Sequence, residues 1–205
     1  MSNHRILCCL SLLVCLALVL GGCFMPPIGG PIPLAQGNLI QNPSADEGTQ
    51  HWSFYTADAS VQDESGSPSF ASRNGAHIWQ TIDITGTTAS YAVLMGITAS
   101  QTVGADGMGR IYGTFRDNTG FEVGSLLSNA MYARTQTPNE WEILADVFPV
   151  PVDAVTIIVY LEQSDAPGVV LDGTFTWFDD IELHLVDTQQ QGQDLIDTYT
   201  VDHTW

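Results

Sequence analysis

Lysine is absent from this chain of 205 residues. Arginine occurs only at Arg5, Arg73, Arg110, Arg116 and Arg134, against 23 acidic residues and a formal net charge of -18. Such a surface repels phosphates, which excludes nucleic acid as a partner. Anionic lipid headgroups are excluded on the same ground, so any membrane attachment has to be apolar. Cysteine is scarce as well: Cys8, Cys9, Cys15 and Cys23 are the only four. No disulfide can form within the chain that follows Cys23, so that part holds together by a sizeable core or by a metal.

Catalytic signatures are missing too. There is no Gly-x-Ser-x-Gly elbow and no phosphate-cradling glycine loop after a strand. His4, His51, His77 and His203 have no ligand spacing such as HxxxH. Asp180, Glu182 and His184 alternate along one strand and read as a solvated stripe. Neighbouring carboxylates are frequent, as chance dictates in so acidic a chain, and a glycosidase would need two of them facing across a cleft. The chain therefore reads as a non-enzyme.

What is present begins at the N-terminus. Met1 to Arg5 carry one positive charge, Ile6 to Leu20 form an apolar run of 15 residues, and Gly21, Gly22 and Cys23 follow. A basic, an apolar and a small-residue region make a secretory signal. The run is short of the roughly 20 helical residues that cross a bilayer. Leu20-Gly21-Gly22-Cys23 resembles the lipobox of bacterial lipoproteins. The resemblance implies cleavage before Cys23, lipidation of Cys23 and a lipid anchor in the membrane of the cell envelope. Phe24 after it resembles the pattern sorted to the outer membrane of Gram-negative cells.

The chain divides accordingly. Residues 1–22 are the signal peptide, and residues 23–37 are the lipidated cysteine with a tether of four prolines and three glycines. Residues 38–186 are one domain, and residues 187–205 are polar and read as a mobile tail. Within the domain, His77–Ile84, Ser90–Ala99, Gly109–Phe115, Trp141–Val150 and Ala154–Glu162 are rich in β-branched and aromatic residues. Each is bounded by turn formers: Gly86, Asp106-Gly107, Asp117 to Gly120, Pro138-Asn139 and Pro149 to Asp153. No stretch has helical amphipathicity over three turns. Short strands at this spacing predict an all-β fold, a β-sandwich or jelly roll. In the last of them Val155, Ile157, Val159 and Leu161 form the core row, while Thr156, Ile158, Tyr160 and Glu162 form the other row and suggest an aromatic cleft.

Asn38 to Trp52 (NLIQNPSADEGTQHW) and Thr176 to Leu185 (TWFDDIELHL) resemble the first and last strands of carbohydrate-binding modules of families four and nine. Those modules have a galactose-binding-domain-like jelly roll. The opening residues Asn42, Pro43, Glu47, Gly48, His51 and Trp52 are also similar to the substrate-binding domain of sugar-recognising F-box proteins. The resemblance implies a glycan partner, and a structural calcium ion held by Asp46, Glu47, Asp179 and Asp180. Strand parity places Asp179 on the face of Ile181, Leu183 and Leu185, pointing inward, where a carboxylate needs a cation or several donors. Sugar recognition uses aromatic faces flanked by polar groups. Among Trp52, Trp79, Tyr91, Tyr112, Trp141 and Tyr160, the best platforms are Trp79, Tyr112 and Trp141, which stand near turns or beside polar neighbours. The other function class open to this sequence is a structural or protein-interaction lipoprotein of the same fold with no sugar affinity.

Overall fold

The computed structural model describes residues 37–64, 66–101, 109–134, 137–163 and 173–204. Cys23, the signal and most of the tether lie outside the described residues, as does the Asp106-Gly107 turn. Among the described residues ten strands form: β1 (Ser53–Phe54), β2 (Ala59–Glu64), β3 (Ser67–Ser72), β4 (His77–Asp83), β5 (Tyr91–Ser100), β6 (Gly109–Arg116), β7 (Glu122–Leu126), β8 (Glu142–Pro149), β9 (Thr156–Gln163) and β10 (Thr176–Val186). One helix, α1 (Gln189–Asp202), follows them. The strands make two five-stranded sheets, in the orders β1-β4-β9-β6-β7 and β2-β3-β10-β5-β8. Every pairing is antiparallel. This is a jelly-roll β-sandwich.

The core lies between the sheets. Ile78, Ile111, Phe115, Ile157, Val159 and Leu161 of the first sheet meet Phe70, Leu94, Phe178, Ile181 and Leu183 of the second, all fully buried. Of the core row expected from alternation, Ile157, Val159 and Leu161 are buried in the core, whereas Val155 precedes β9 and is only half-buried. At one end of the sandwich the 84–90, 117–121 and 150–155 turns are tied together, since Ile84 donates to Val155 O, Val155 to Arg116 O and Val150 to Ser90 O. His77, Gly109 and Ser100 stand at the other end.

Strand β5 is buried along nearly its whole length on both faces. The reason is α1, which corrects the expectation of a mobile tail after residue 186. Its start is fixed by a capping box in which the Thr188 hydroxyl accepts the Gln191 N–H while the Gln191 side chain accepts the Thr188 N–H. Leu195, Ile196 and Tyr199 pack on Val93, Met95 and Val147. With Gly192 they make an i, i+3, i+4, i+7 stripe, inconspicuous because one of its four members has no side chain.

A Cβ at Gly192 would stand 2.8 and 2.9 Å from the two Val147 methyls and 3.0 Å from Val93. Gly192→Leu is therefore expected to lower the melting temperature, overpacking costing about 1–3 kcal/mol against about 1 kcal/mol gained in helix propensity. An unchanged or raised melting temperature would contradict this docking.

Candidate functional site

Among the described residues no helix or sheet covers the outer face of the first sheet, and antiparallel register decides which side chains share it. Trp79 on β4 pairs with Tyr160 on β9, which pairs with Tyr112 on β6. All three point away from the core and are half-buried. Strands lie about 4.8 Å apart, so the row spans roughly 10 Å. Tyr112 and Tyr160 stack with ring centroids 4.9 Å apart and planes 16° from parallel. The Arg110 guanidinium lies 4.5 Å from the Tyr112 ring centroid. Neither Trp79 Nε1 nor the Tyr160 hydroxyl has a hydrogen-bond partner among the described residues.

One register step toward the far end runs a polar row, His77, Glu162 and Arg110. Glu162 is 4% exposed. Its Oε2 accepts from Arg110 Nη2 at 2.8 Å, Arg110 Nε at 3.3 Å and the Tyr112 hydroxyl at 3.0 Å. His77 Nδ1 lies 3.7 Å from the same oxygen, beyond hydrogen-bond reach, and has no other partner among the described residues. Glu162 Oε1 has none among the described residues either. Burial works against the Arg110 charge, but the hydrogen bond and charge of Glu162 outweigh it and hold its pKa above the ordinary value. Burial first, and then the Glu162 charge, push the Tyr112 phenol up, so it stays protonated and donates. The charges on this face are thus tied to each other. What it offers a ligand is aromatic surface, one carboxylate acceptor and neutral donors.

Two of the three expected sugar platforms, Trp79 and Tyr112, are brought together here. Trp141 is not: it packs on the outer side of the second sheet with Ala71, Ala99 and Trp177. Its neighbour Glu140 marks a loop end and carries no information about which sheet the indole joins. Tyr160 takes its place in the row. It was readable as part of the outward β9 row, but its position between Trp79 and Tyr112 depends on long-range pairing.

The calcium residues fall at another corner. A β-bulge between Asp179 and Glu182, with Asp180 at φ 47°, breaks the parity of β10. Phe178 therefore faces the core, and Asp179 lies with Trp177 and Ser69 on the outer side, a correction to its expected inward direction. It is still buried, at 8% exposure. Its Oδ1 accepts the Asp180 N–H at 2.9 Å and its Oδ2 the Ser69 hydroxyl at 3.1 Å. Asp180 accepts from Ser44 at 2.5 Å and meets His203 Nε2 at 3.1 Å. Asp46 and Glu47 are exposed. The turn carbonyls of Asn42, Pro43, Ala45 and Gly48 accept from Trp52 Nε1, Ile181 N–H, Gly48 N–H and Asn42 Nδ2. Among the described residues no group of three or more acidic, histidine or cysteine side chains is arranged to hold a metal ion.

Burial pushes Asp179 up from 3.8 to about 6, helped by the Asp180 and Asp46 charges and opposed by its hydrogen bonds. A carboxyl raised in the folded state favours folding while protonated. That contribution is complete below its unfolded pKa of about 4 and is lost as the pH rises through its folded value. Asp179→Asn keeps an acceptor for the Asp180 N–H and stays neutral. It is expected to raise the melting temperature above about pH 7 and to give no gain near pH 4. Equal effects at both pH values would contradict this reading.

The fold is similar to several solved structures. One is a family 16 carbohydrate-binding module, with 19% identity and a TM-score of 0.50, covering 71% of this chain and 99% of that one. Another is the CBM22-1 xylan-binding domain from Paenibacillus barcinonensis Xyn10C, with 19% identity and a TM-score of 0.51, covering 71% and 92%. A third is the enzymatically active domain of tailspike protein 4 from bacteriophage CBA120, with 17% identity and a TM-score of 0.53. There 73% of this chain matches, spanning only 21% of the tailspike chain. No protein-family model matches the sequence, and no curated protein matches it. At these identities the likeness is one of fold.

Proposed function

We propose that this protein is a non-catalytic glycan-binding lipoprotein, held to the cell envelope by lipid on Cys23, that grips its ligand on the outer face of the first sheet. The observation that carries the proposal is the row Trp79, Tyr160 and Tyr112 beside the buried Glu162 and its half-buried partner Arg110. Aromatic rings match the apolar faces of pyranoses, while Trp79 Nε1, the Tyr160 hydroxyl and Glu162 Oε1, unpaired among the described residues, can pair with sugar hydroxyls. A net charge of -18 and a single, already paired arginine on this row disfavour uronic or sulfated glycans, so the proposed ligand is a neutral oligosaccharide. Structural neighbours named as carbohydrate-binding and xylan-binding modules lend the reading support through their shared fold. Membership of families four or nine remains part of the proposal, as does an outer-membrane location.

A glycan array probed with the full chain tests it: binding to neutral plant or bacterial glycans is expected. Silence on every glycan would sink the proposal in favour of a protein-interaction role.

A structural calcium at Asp46, Glu47, Asp179 and Asp180 stands as a separate proposal. Hydrogen bonds already occupy that corner, so binding would have to add coordination to oxygens that are accepting protons. A melting temperature several degrees higher in calcium than in chelator would support the ion, and identical curves would remove it.

A further inference from the structure

We propose that the end of the sandwich carrying the 84–90, 117–121 and 150–155 turns is a membrane-contact surface, with Phe121 and Val152 entering the interfacial layer of a zwitterionic bilayer. The inference rests on the lipid-anchored reading above and adds to it the orientation of the domain.

Two observations meet at this end. The first is exposure: Phe121 is 72% exposed and Val152 fully so. Single exposed apolar residues need no explanation. These two, however, sit on neighbouring turns locked to one another. Val155 N–H donates to Arg116 O at 2.9 Å, and Pro151 packs under Gly124, where a Cβ would stand 2.8 Å from the proline ring. The 117–121 turn is rigid, since Asp117 Oδ1 accepts from Thr119 N–H, the Thr119 hydroxyl and Phe121 N–H. Phe121 is held outward by a built turn, with its backbone satisfied.

The second observation is where the chain enters. Leu39 donates to Leu183 O and Ile181 donates to Pro43 O, so residues 39–43 run antiparallel to β10. Followed backward, the chain leaves past Leu39 toward the Val186 end of β10, where Ser90 N–H donates to Val186 O. That is the end bearing Phe121 and Val152. Thirteen residues separate Cys23 from Gly37. Fully extended they reach about 45 Å, so a lipidated Cys23 tethers the domain by the end at which its chain enters, the end that carries Phe121 and Val152.

Charge selects the kind of lipid. Asp83, Asp117, Glu122, Asp153 and Asp187 surround this end against Arg116 alone, so an anionic surface is disfavoured and the contact is apolar. Two side chains give little affinity of their own, and the acyl chains supply that. What they set is orientation, with the Tyr55 and His77 end of the sheet pointing away from the membrane.

The test uses the full chain lipidated at Cys23, with Val152→Cys or, at the opposite end, Tyr55→Cys carrying an environment-sensitive fluorophore. The protein is placed in phosphatidylcholine vesicles with and without a lipid-borne quencher. Loss of most of the emission at position 152 and almost none at 55 is expected, and adding Phe121→Ser should reduce the loss at 152. Weak, equal quenching at both positions in protein that floats with the vesicles would overturn the membrane contact and leave the anchor standing. Protein that fails to float would overturn both.

Discussion

Trp79→Ala and Tyr160→Ala are each expected to weaken oligosaccharide binding by at least about thirtyfold, near 2 kcal/mol, while leaving the melting temperature within a few degrees of the parent. The size follows from position. Trp79 lies on the open face, half-buried, with its indole N–H unpartnered, so its removal takes away ligand contact and little core. Tyr160 stands at the centre of the row, flanked by Trp79 and Tyr112, where a hot spot is best shielded from water. Trp141→Ala is the matched control. It packs against the second sheet, so its loss should lower stability and leave affinity unchanged in the protein that remains folded. Titration calorimetry of the three variants separates the outcomes, and a Trp141 variant that loses affinity selectively would relocate the site.

Glu162→Ala is expected to be the most destabilising change in the cleft, by about 1.5–3 kcal/mol, because it removes the charged acceptor of a half-buried guanidinium and of a phenol. Glu162 is nearly inaccessible, and its loss would leave the Arg110 guanidinium without its carboxylate, with only Tyr132 to pair with among the described residues, and the Tyr112 hydroxyl without its acceptor. Burial opposes the Arg110 charge, and among the described residues Glu162 is the carboxylate that offsets it. The paired replacement Arg110→Met with Glu162→Leu should recover much of the stability while binding stays lost. Denaturant unfolding of the single and double variants measures this coupling. Additive losses would show that the two side chains do not act as a pair.

How much of this was legible beforehand follows from which interactions decide each element. Five strands were readable within a residue or two because their cores are β-branched and aromatic, as in Ala154 to Glu162, where alternation gave the buried Ile157, Val159 and Leu161; β10 was readable only through the family resemblance. The β2–β3 hairpin was not readable. Its residues are mostly small or polar, and Ser69 and Ala71 are buried only because β10 covers them. Helix α1 was hidden for the opposite reason: its stripe is thin, and β5 and β8 supply the apolar partner.

The candidate site was half legible. Trp79 and Tyr112 could be named from their turns and neighbours, yet nothing local told Trp141 from them, since sheet membership is fixed by pairing across the whole chain. Asp179 went astray for a single reason. Parity counting assumes an unbroken strand, and the bulge at Asp180 shifts the remainder of β10 by one.

The central claim is that the ligand lies on the first sheet, and the indole N–H signals in solution NMR test it most directly. Trp52 is in the core, donating to Asn42 O at 3.0 Å, while Trp141 and Trp177 pack on the second sheet. Adding the tightest oligosaccharide from the array should shift the Trp79 indole signal strongly and leave those of Trp52, Trp141 and Trp177 in place. A ligand that moves Trp141 or Trp177 and leaves Trp79 unmoved would contradict the account.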